Sequence, residues 1–90
     1  MEIQGYNNYL IYPDGRVFSK FGKGRFLKSA NNGRGYLVIA LCKNGKCKTH
    51  KIHRLVAIYY IPNPDNKPEV DHKSRNKLDN SVDNLRWVTS

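Results

Sequence analysis

Between Gly15 and Arg54 the chain has no acidic residue at all, while it carries eleven lysines and arginines there. That absence excludes a block of internally neutralised ion pairs. Residues 1–14 hold two acids and no base, and from Leu55 onward five bases face five acids. The whole excess behind the net charge of +9 therefore sits in the middle block. Long hydrophobic runs are lacking too: no stretch approaches the ~20 apolar residues of a membrane span. The opening MEIQGYNNYL has no basic segment followed by an apolar one, so no signal peptide is expected. A soluble, intracellular protein of the host-cell cytoplasm, without a membrane partner, is the expectation. Cysteine is scarce, with two residues in 90, too few for a disulfide framework and consistent with a reducing compartment.

What is present is a phosphate-binding footprint, because each lysine or arginine near a phosphate releases condensed counterions. Nucleic acid is favoured over an anionic membrane surface. Membrane binding usually uses a basic amphipathic helix, and this block reads as strands.

Turn chemistry organises those strands. Tyr9–Tyr12 is β-prone, Pro13-Asp14-Gly15 is a turn, and Arg16–Ser19 is the return strand. Lys20–Arg25 is a glycine-containing basic loop, Phe26–Lys28 a short strand, and Asn31–Gly35 another turn cluster. Tyr36–Lys43 and Lys46–His53 flank Asn44-Gly45, the pair suited to a two-residue type I′ hairpin. That register opposes Lys43 to Lys46, Cys42 to Cys47 and Leu41 to Lys48. It places Leu37, Ile39, Leu41 and Ile52 on a core-facing side and lines the ribbon with Lys43, Lys46, Lys48 and Lys51. Crowded like charges destabilise a hairpin, a cost that a polyanion would relieve. His53–Ile61 suits a short helix closed by Pro62 and Pro64. Glu69–His72 reads as extended, Lys73–Asn80 as a polar loop, and Leu85–Val88 as the final strand. Asp79 or Ser81 is the expected cap of a single turn through Asn84.

Asp71-His72 is the most suggestive dipeptide. A carboxylate can hold a hard cation, and a neutral imidazole can take a proton from water. Adjacent side chains on a strand point apart, so using both requires a bend or approach from two sides. Asn76, Asn80 and Asn84 are placed to orient the imidazole or pin the loop.

The segments HRLVA (53–57), IPNP (61–64), VDH (70–72) and NLRWVT (84–89) follow one another in an order and spacing that closely resemble the HNH homing endonucleases of phages and large viruses. Gly5-Tyr6, Asp14–Val17 and Gly35-Tyr36 resemble the β-rich module fused in front of that nuclease core. The resemblance implies a small α+β protein, with a β-rich antiparallel DNA-binding module over 1–35 followed by a ββα-metal core over 36–90. It implies an HNH-type DNA endonuclease that depends on a divalent metal and nicks its substrate, leaving a 5′ phosphate. His72 would be the general base, Asp71 the ligand of one magnesium or manganese ion, and Asn84 the residue that orients the catalytic loop. In the family a helix follows the tryptophan strand, and a second metal ligand lies six residues past the tryptophan. Here that is position 93, so the expectation is a truncated core with reduced or absent cleavage, and His50 and Asn80 are candidate replacement ligands. A non-catalytic DNA-binding remnant is the alternative.

Zinc is disfavoured: Cys42, Cys47, His50 and His53 have a spacing off pattern for a finger, and inert packing is favoured for the cysteines over an oxidisable pair. His53 is assigned a core or capping role and Trp87 a core anchor. Double-stranded DNA is the expected partner of a monomer or weak dimer. The expected contacts are Arg16, Lys20, Lys23, Arg25, Lys28 and Arg34 in front, Lys43, Lys46 and Lys48 at the hairpin, and Arg75 and Lys77 beside His72.

Overall fold

Turns set the strand layout of the computed structural model, which describes residues 1–89. Strands β1 (Glu2–Ile3), β2 (Tyr6–Ile11), β3 (Val17–Ser19) and β4 (Arg25–Phe26) form one antiparallel sheet in that order. The Pro13–Gly15 turn joins β2 to β3. Its Gly15 has φ 93° and donates its N–H to Tyr12 O at 3.0 Å. Asp14 accepts from the Arg16 N–H at 3.1 Å, fixing the exit of the turn. The strand expected over Phe26–Lys28 is β4, shifted toward Arg25 because Phe18 pairs with Phe26 and Ser19 with Arg25.

Strands β5 (Ala30–Asn31), β6 (Leu37–Lys43) and β7 (Lys46–Lys51) make a second sheet. Asn44 (φ 52°) and Gly45 (φ 77°) are both left-handed, as a type I′ turn requires. The turn therefore locks the register Lys43–Lys46, Cys42–Cys47 and Leu41–Lys48 that the sequence predicts. Cys42 and Cys47 are disulfide-bonded, with Cα atoms 4.0 Å apart. The inert packing expected for them is thus corrected. One pair back from a two-residue turn, the residues are a close, non-hydrogen-bonded pair, which brings the two sulfurs together.

Helix α1 (Ile52–Tyr60) follows β7 directly. It ends where the Ile61 N–H closes on Ala57 O, since Pro62 has no N–H to continue the ladder. Its buried face is Ile52, His53, Leu55, Val56 and Ala57. Strands β8 (Glu69–His72) and β9 (Leu85–Val88) form a two-stranded sheet, with a 3-10 turn at Val82–Asn84 between them. Neither expected cap serves that turn. Ser81 occupies the N-cap position, but its hydroxyl donates to the Asp79 carboxylate at 2.7 Å instead.

One core joins these pieces. Ile3, Tyr9, Ile11 and Val17 from the first sheet pack with Ile39 and Leu41 from β6, with Ile52, Leu55 and Val56 from α1, and with Leu85 from β9. Leu37 is partly buried against them. Polar side chains fasten the layers where they cross: Tyr60 Oη donates to Ile11 O at 2.6 Å, and Trp87 Nε1 donates to Ile61 O at 3.0 Å. His53 lies in this interior, as expected for a core residue, and does not cap the helix. No helix of the described residues is long and apolar enough to cross a membrane. The part of the core that the family places past the tryptophan strand falls outside the described residues.

Candidate active site

Strand β8 presents Asp71 and His72 side by side. His72 sits opposite Leu85 and is buried, at 5% exposure. Asp71 sits opposite Arg86, half-exposed, and its Oδ2 accepts from Arg86 Nη2 at 3.0 Å and Nε at 3.1 Å. The two side chains leave the strand in different directions, yet both line one cavity of about 320 Å³ together with Tyr36, Val70, Arg75 and Lys77.

The loop after His72 wraps around Asn84. The Asn84 side chain accepts from the Ser74 N–H at 3.0 Å and donates to Asp79 O at 2.9 Å. Its main-chain oxygen accepts from the Lys73 N–H at 2.7 Å. Side-chain turns at Ser74, Asn76 and Asp79 accept from the N–H groups of Asn76, Leu78 and Ser81. The Ser81 hydroxyl and N–H hold the Asp79 carboxyl below its ordinary range. Arg75 adopts φ 64° and returns its N–H to His72 O at 2.9 Å.

This loop delivers buried Asn80, whose Oδ1 lies 2.7 Å from His72 Nε2. An amide oxygen only accepts, so the neutral imidazole carries its proton on Nε2 and leaves Nδ1 with a free lone pair. The front turn supports Asn80 from behind. Pro13 O accepts from the Val82 N–H at 2.8 Å, and a Cβ added at Gly15 would lie 3.1 Å from Asn80 Cβ.

On the other side of His72 stands His53, ring centroids 4.9 Å apart, with Tyr36 stacked on His53 at 5.1 Å. Burial pushes the His53 pKa down to about 4, with smaller contributions from His72, Lys51 and Arg54. It is therefore neutral at neutral pH.

The structure thus gathers His72, Asp71, Asn84, Arg75 and Lys77 around one cavity and its loop. Arg34 joins them through its main-chain oxygen, which accepts from Lys77 Nζ at 3.3 Å. The other expected contacts are exposed but lie away from that cavity. Arg16 is engaged by Asp14 at 2.6 Å and lies over Phe26, and Lys20 pairs with Glu2 at 2.9 Å. Lys43 lies over the Tyr6 ring. Lys23, Arg25, Lys28, Lys46 and Lys48 are solvent-exposed. The sequence reading missed Tyr36 as a site residue, although it follows the Asn31–Gly35 turn cluster that ends beside the loop. Of three candidate asparagines, Asn80 proves to be the one on the imidazole.

Residues 50–90 match the family model described as HNH endonuclease. Over 89 residues the chain is 45% identical to an HNH endonuclease of Acanthamoeba polyphaga mimivirus, covering 99% of this chain and 27% of that protein. It is 43% identical over 89 residues to DNA endonuclease I-HmuI of Bacillus phage SP01, covering 98% of this chain and 51% of that one. The solved structure described as DNA binding and cleavage by the HNH homing endonuclease I-HmuI superposes with a TM-score of 0.90 at 42% identity, over 99% of this chain and 51% of that one. The chain is homologous to the HNH homing endonucleases. It spans about half the length of I-HmuI and about a quarter of the mimivirus protein. The mixed, strand-rich fold expected from the sequence is the fold of that HNH enzyme.

HNH endonucleases generally use divalent metal ions, so the donors here are to be matched to one. Among the described residues no three His, Cys, Asp or Glu side chains converge. Asp71 keeps Oδ1 free of the Arg86 pair and faces the His72 cavity. These residues fit the kind of site magnesium prefers, one carboxylate completed by water and phosphate oxygens, and do not fit an all-protein cage. The replacement ligands considered above are not available. Asn80 Oδ1 is spent on His72, and His50 packs edge-on against Tyr6 at 5.3 Å, away from the cavity. The disulfide removes Cys42 and Cys47 as thiolate ligands for zinc.

Proposed function

We propose that this chain is the catalytic and DNA-contacting part of an HNH-type endonuclease that hydrolyses phosphodiester bonds of double-stranded DNA and nicks one strand. The observation that carries this reading is the 2.7 Å bond from Asn80 to His72 Nε2 in a buried site that opens on the same cavity as Asp71. His72 Nδ1 takes the proton of the attacking water. Asn80 fixes the tautomer, and Asn84 holds the loop that carries Asn80. Asp71 would hold one magnesium or manganese ion, which when bound supplies Lewis-acid stabilisation of the charge developing on phosphate and on the leaving 3′ oxygen. The product carries a 5′ phosphate.

Residues 1–35 are the β-rich DNA-binding module in this reading, and 36–90 the HNH core. Arg75 and Lys77 hold the scissile strand, with Arg34 beside them. Arg16, Lys20, Lys23, Arg25, Lys28, Lys43, Lys46 and Lys48 extend the basic track along the duplex, where phosphate contacts position the protein. A monomer or weak dimer inside the host cell suits this work.

The test is conversion of supercoiled plasmid to open circle with magnesium or manganese. General-base removal typically costs about 10²- to 10⁴-fold, so His72→Ala should nick at least about a hundredfold more slowly than the parent, and chelation of the metal should stop both. Equal nicking by His72→Ala and the parent would remove His72 from the chemistry.

A further inference from the structure

Nothing in the proton-transfer scheme uses His53, yet it is a buried imidazole with Nδ1 lacking any hydrogen-bond partner. Buried polar atoms are nearly always paired, and an unpaired one calls for an explanation. An apolar ring would fill the same space without that cost. His53 comes from α1, His72 from β8, and Tyr36 from the turn that leads into β6. Three separate elements therefore bring three rings into one cluster, each ring close to both of the others. Tyr36 stacks on His53 at 25° between planes, His53 tilts 48° against His72, and Tyr36 reaches His72 at 6.1 Å.

We propose that His53 and Tyr36 are positioning residues for the reaction, an aromatic cluster that fixes the imidazole plane of His72. The inference rests on the reading of His72 as the base. Asn80 holds His72 by one atom, Nε2. A single hydrogen bond leaves the ring free to tilt about that contact. The His53 ring packs against it and removes that freedom, so Nδ1 keeps one direction.

Tyr36 closes the cluster, near both His53 and His72. Lys77 Nζ lies 4.6 Å and Lys51 Nζ 5.3 Å from its ring centre, so the ring that steadies His53 also gathers two ammonium groups by cation–π attraction. Lys77 is also a lining residue of the His72 cavity. The cluster therefore ties the alignment of the base to the cations that face the strand. A neutral His53 suits this place, since the ring beside it gains positive charge when His72 takes the proton. Burial keeps His53 neutral.

The test reads the imidazole signals of His72 by nitrogen-15 NMR of the whole chain, in the parent and in His53→Leu, His53→Phe and Tyr36→Leu. The parent and His53→Phe should show one Nε2–H tautomer with narrow ring signals, because Asn80 holds the tautomer and a ring holds the plane. His53→Leu and Tyr36→Leu should keep that tautomer, since Asn80 is untouched, but broaden the His72 ring signals as the plane loosens. Tyr36 is only half-buried, so its variant keeps the question answerable if His53→Leu does not fold. Single-turnover nicking should fall about 10- to 100-fold in the leucine variants, the scale of a small misplacement of a catalytic group, with DNA affinity unchanged in His53→Leu and with His53→Phe keeping the parental rate. His72 signals as narrow as the parent's in both leucine variants would overturn the cluster's role. So would nicking that is lost in His72→Ala yet unchanged in His53→Leu. Nicking that survives His72→Ala would instead overturn the assignment of the base, and the NMR result would still report on the cluster by itself.

Discussion

The loop from Lys73 to Ser81 and the loop from Lys20 to Gly24 are both short, polar and basic, but they are held in opposite ways. In the first, Asn84 takes hold of Ser74 and Asp79, and side-chain turns at Ser74, Asn76 and Asp79 bind the chain between them. The result is a fixed Asn80 against His72. In the second, backbone bonds from the Lys20 N–H to Asn8 O at 2.8 Å and from the Gly24 N–H to Phe21 O at 3.1 Å, with a Ser19 contact to the Phe21 N–H, fasten only its ends and its turn. Lys20 pairs with Glu2 at the surface, and Lys23 reaches into solvent. A proton-transfer group must be aimed, which calls for many fixed partners. A phosphate contact only needs positive charge nearby, so rigid placement there would add little.

Several changes break this contrast, the largest through the interior. His53 has a folded-state pKa of about 4, below its ordinary 6.5. As pH falls through that window the unfolded chain binds a proton that the folded chain resists, so stability is full above about 6.5 and is lost progressively toward 4. The loss should approach about 3 kcal/mol, read as a falling unfolding midpoint in denaturant. His53→Phe should flatten that slope, and an unchanged slope would assign the acid sensitivity elsewhere.

A smaller effect is expected at Asn84. Asn84→Ala removes the side-chain bonds to Ser74 and Asp79 at a buried position. About 2 kcal/mol of destabilisation follows from two lost bonds and the groups left unpaired, measurable by thermal unfolding. A change within about 0.5 kcal/mol would mean the loop holds itself without Asn84.

The smallest stability effect belongs to the basic surface. Lys46→Ala relieves a cross-strand pairing with Lys43 and should leave stability within about 0.5 kcal/mol. Its signature lies in binding, where the salt dependence of DNA affinity should lose about one unit of slope. An unchanged slope would take Lys46 out of the interface.

How far the sequence revealed this division depends on the range of the forces involved. The β6/β7 register was readable because Asn44-Gly45 dictates a turn that leaves one pairing. The Pro13–Gly15 turn, α1 and β9 were readable for similar local reasons. Asp71 and His72 were legible as a pair, which the fold sets on one cavity, and Asn84 as a residue bonded into the loop. Asn80 stood only as one of three asparagines, because its partner is chosen by the folding of the loop. The Tyr36–His53–His72 cluster was not legible, since its members lie 17 or more residues apart and meet through tertiary packing. The disulfide was half legible: the register placed Cys42 opposite Cys47, while the oxidation state was not written in the spacing.

Single-turnover cleavage of a labelled duplex, followed with affinity for the parent, Asn80→Ala and Lys46→Ala, tests the division of labour most directly. The account predicts that Asn80→Ala binds like the parent but cleaves about 10- to 100-fold more slowly, whereas Lys46→Ala binds more weakly and cleaves at the parental rate once saturated. An Asn80→Ala protein that cleaves at the parental rate, with Lys46→Ala slowed at saturation, would contradict it.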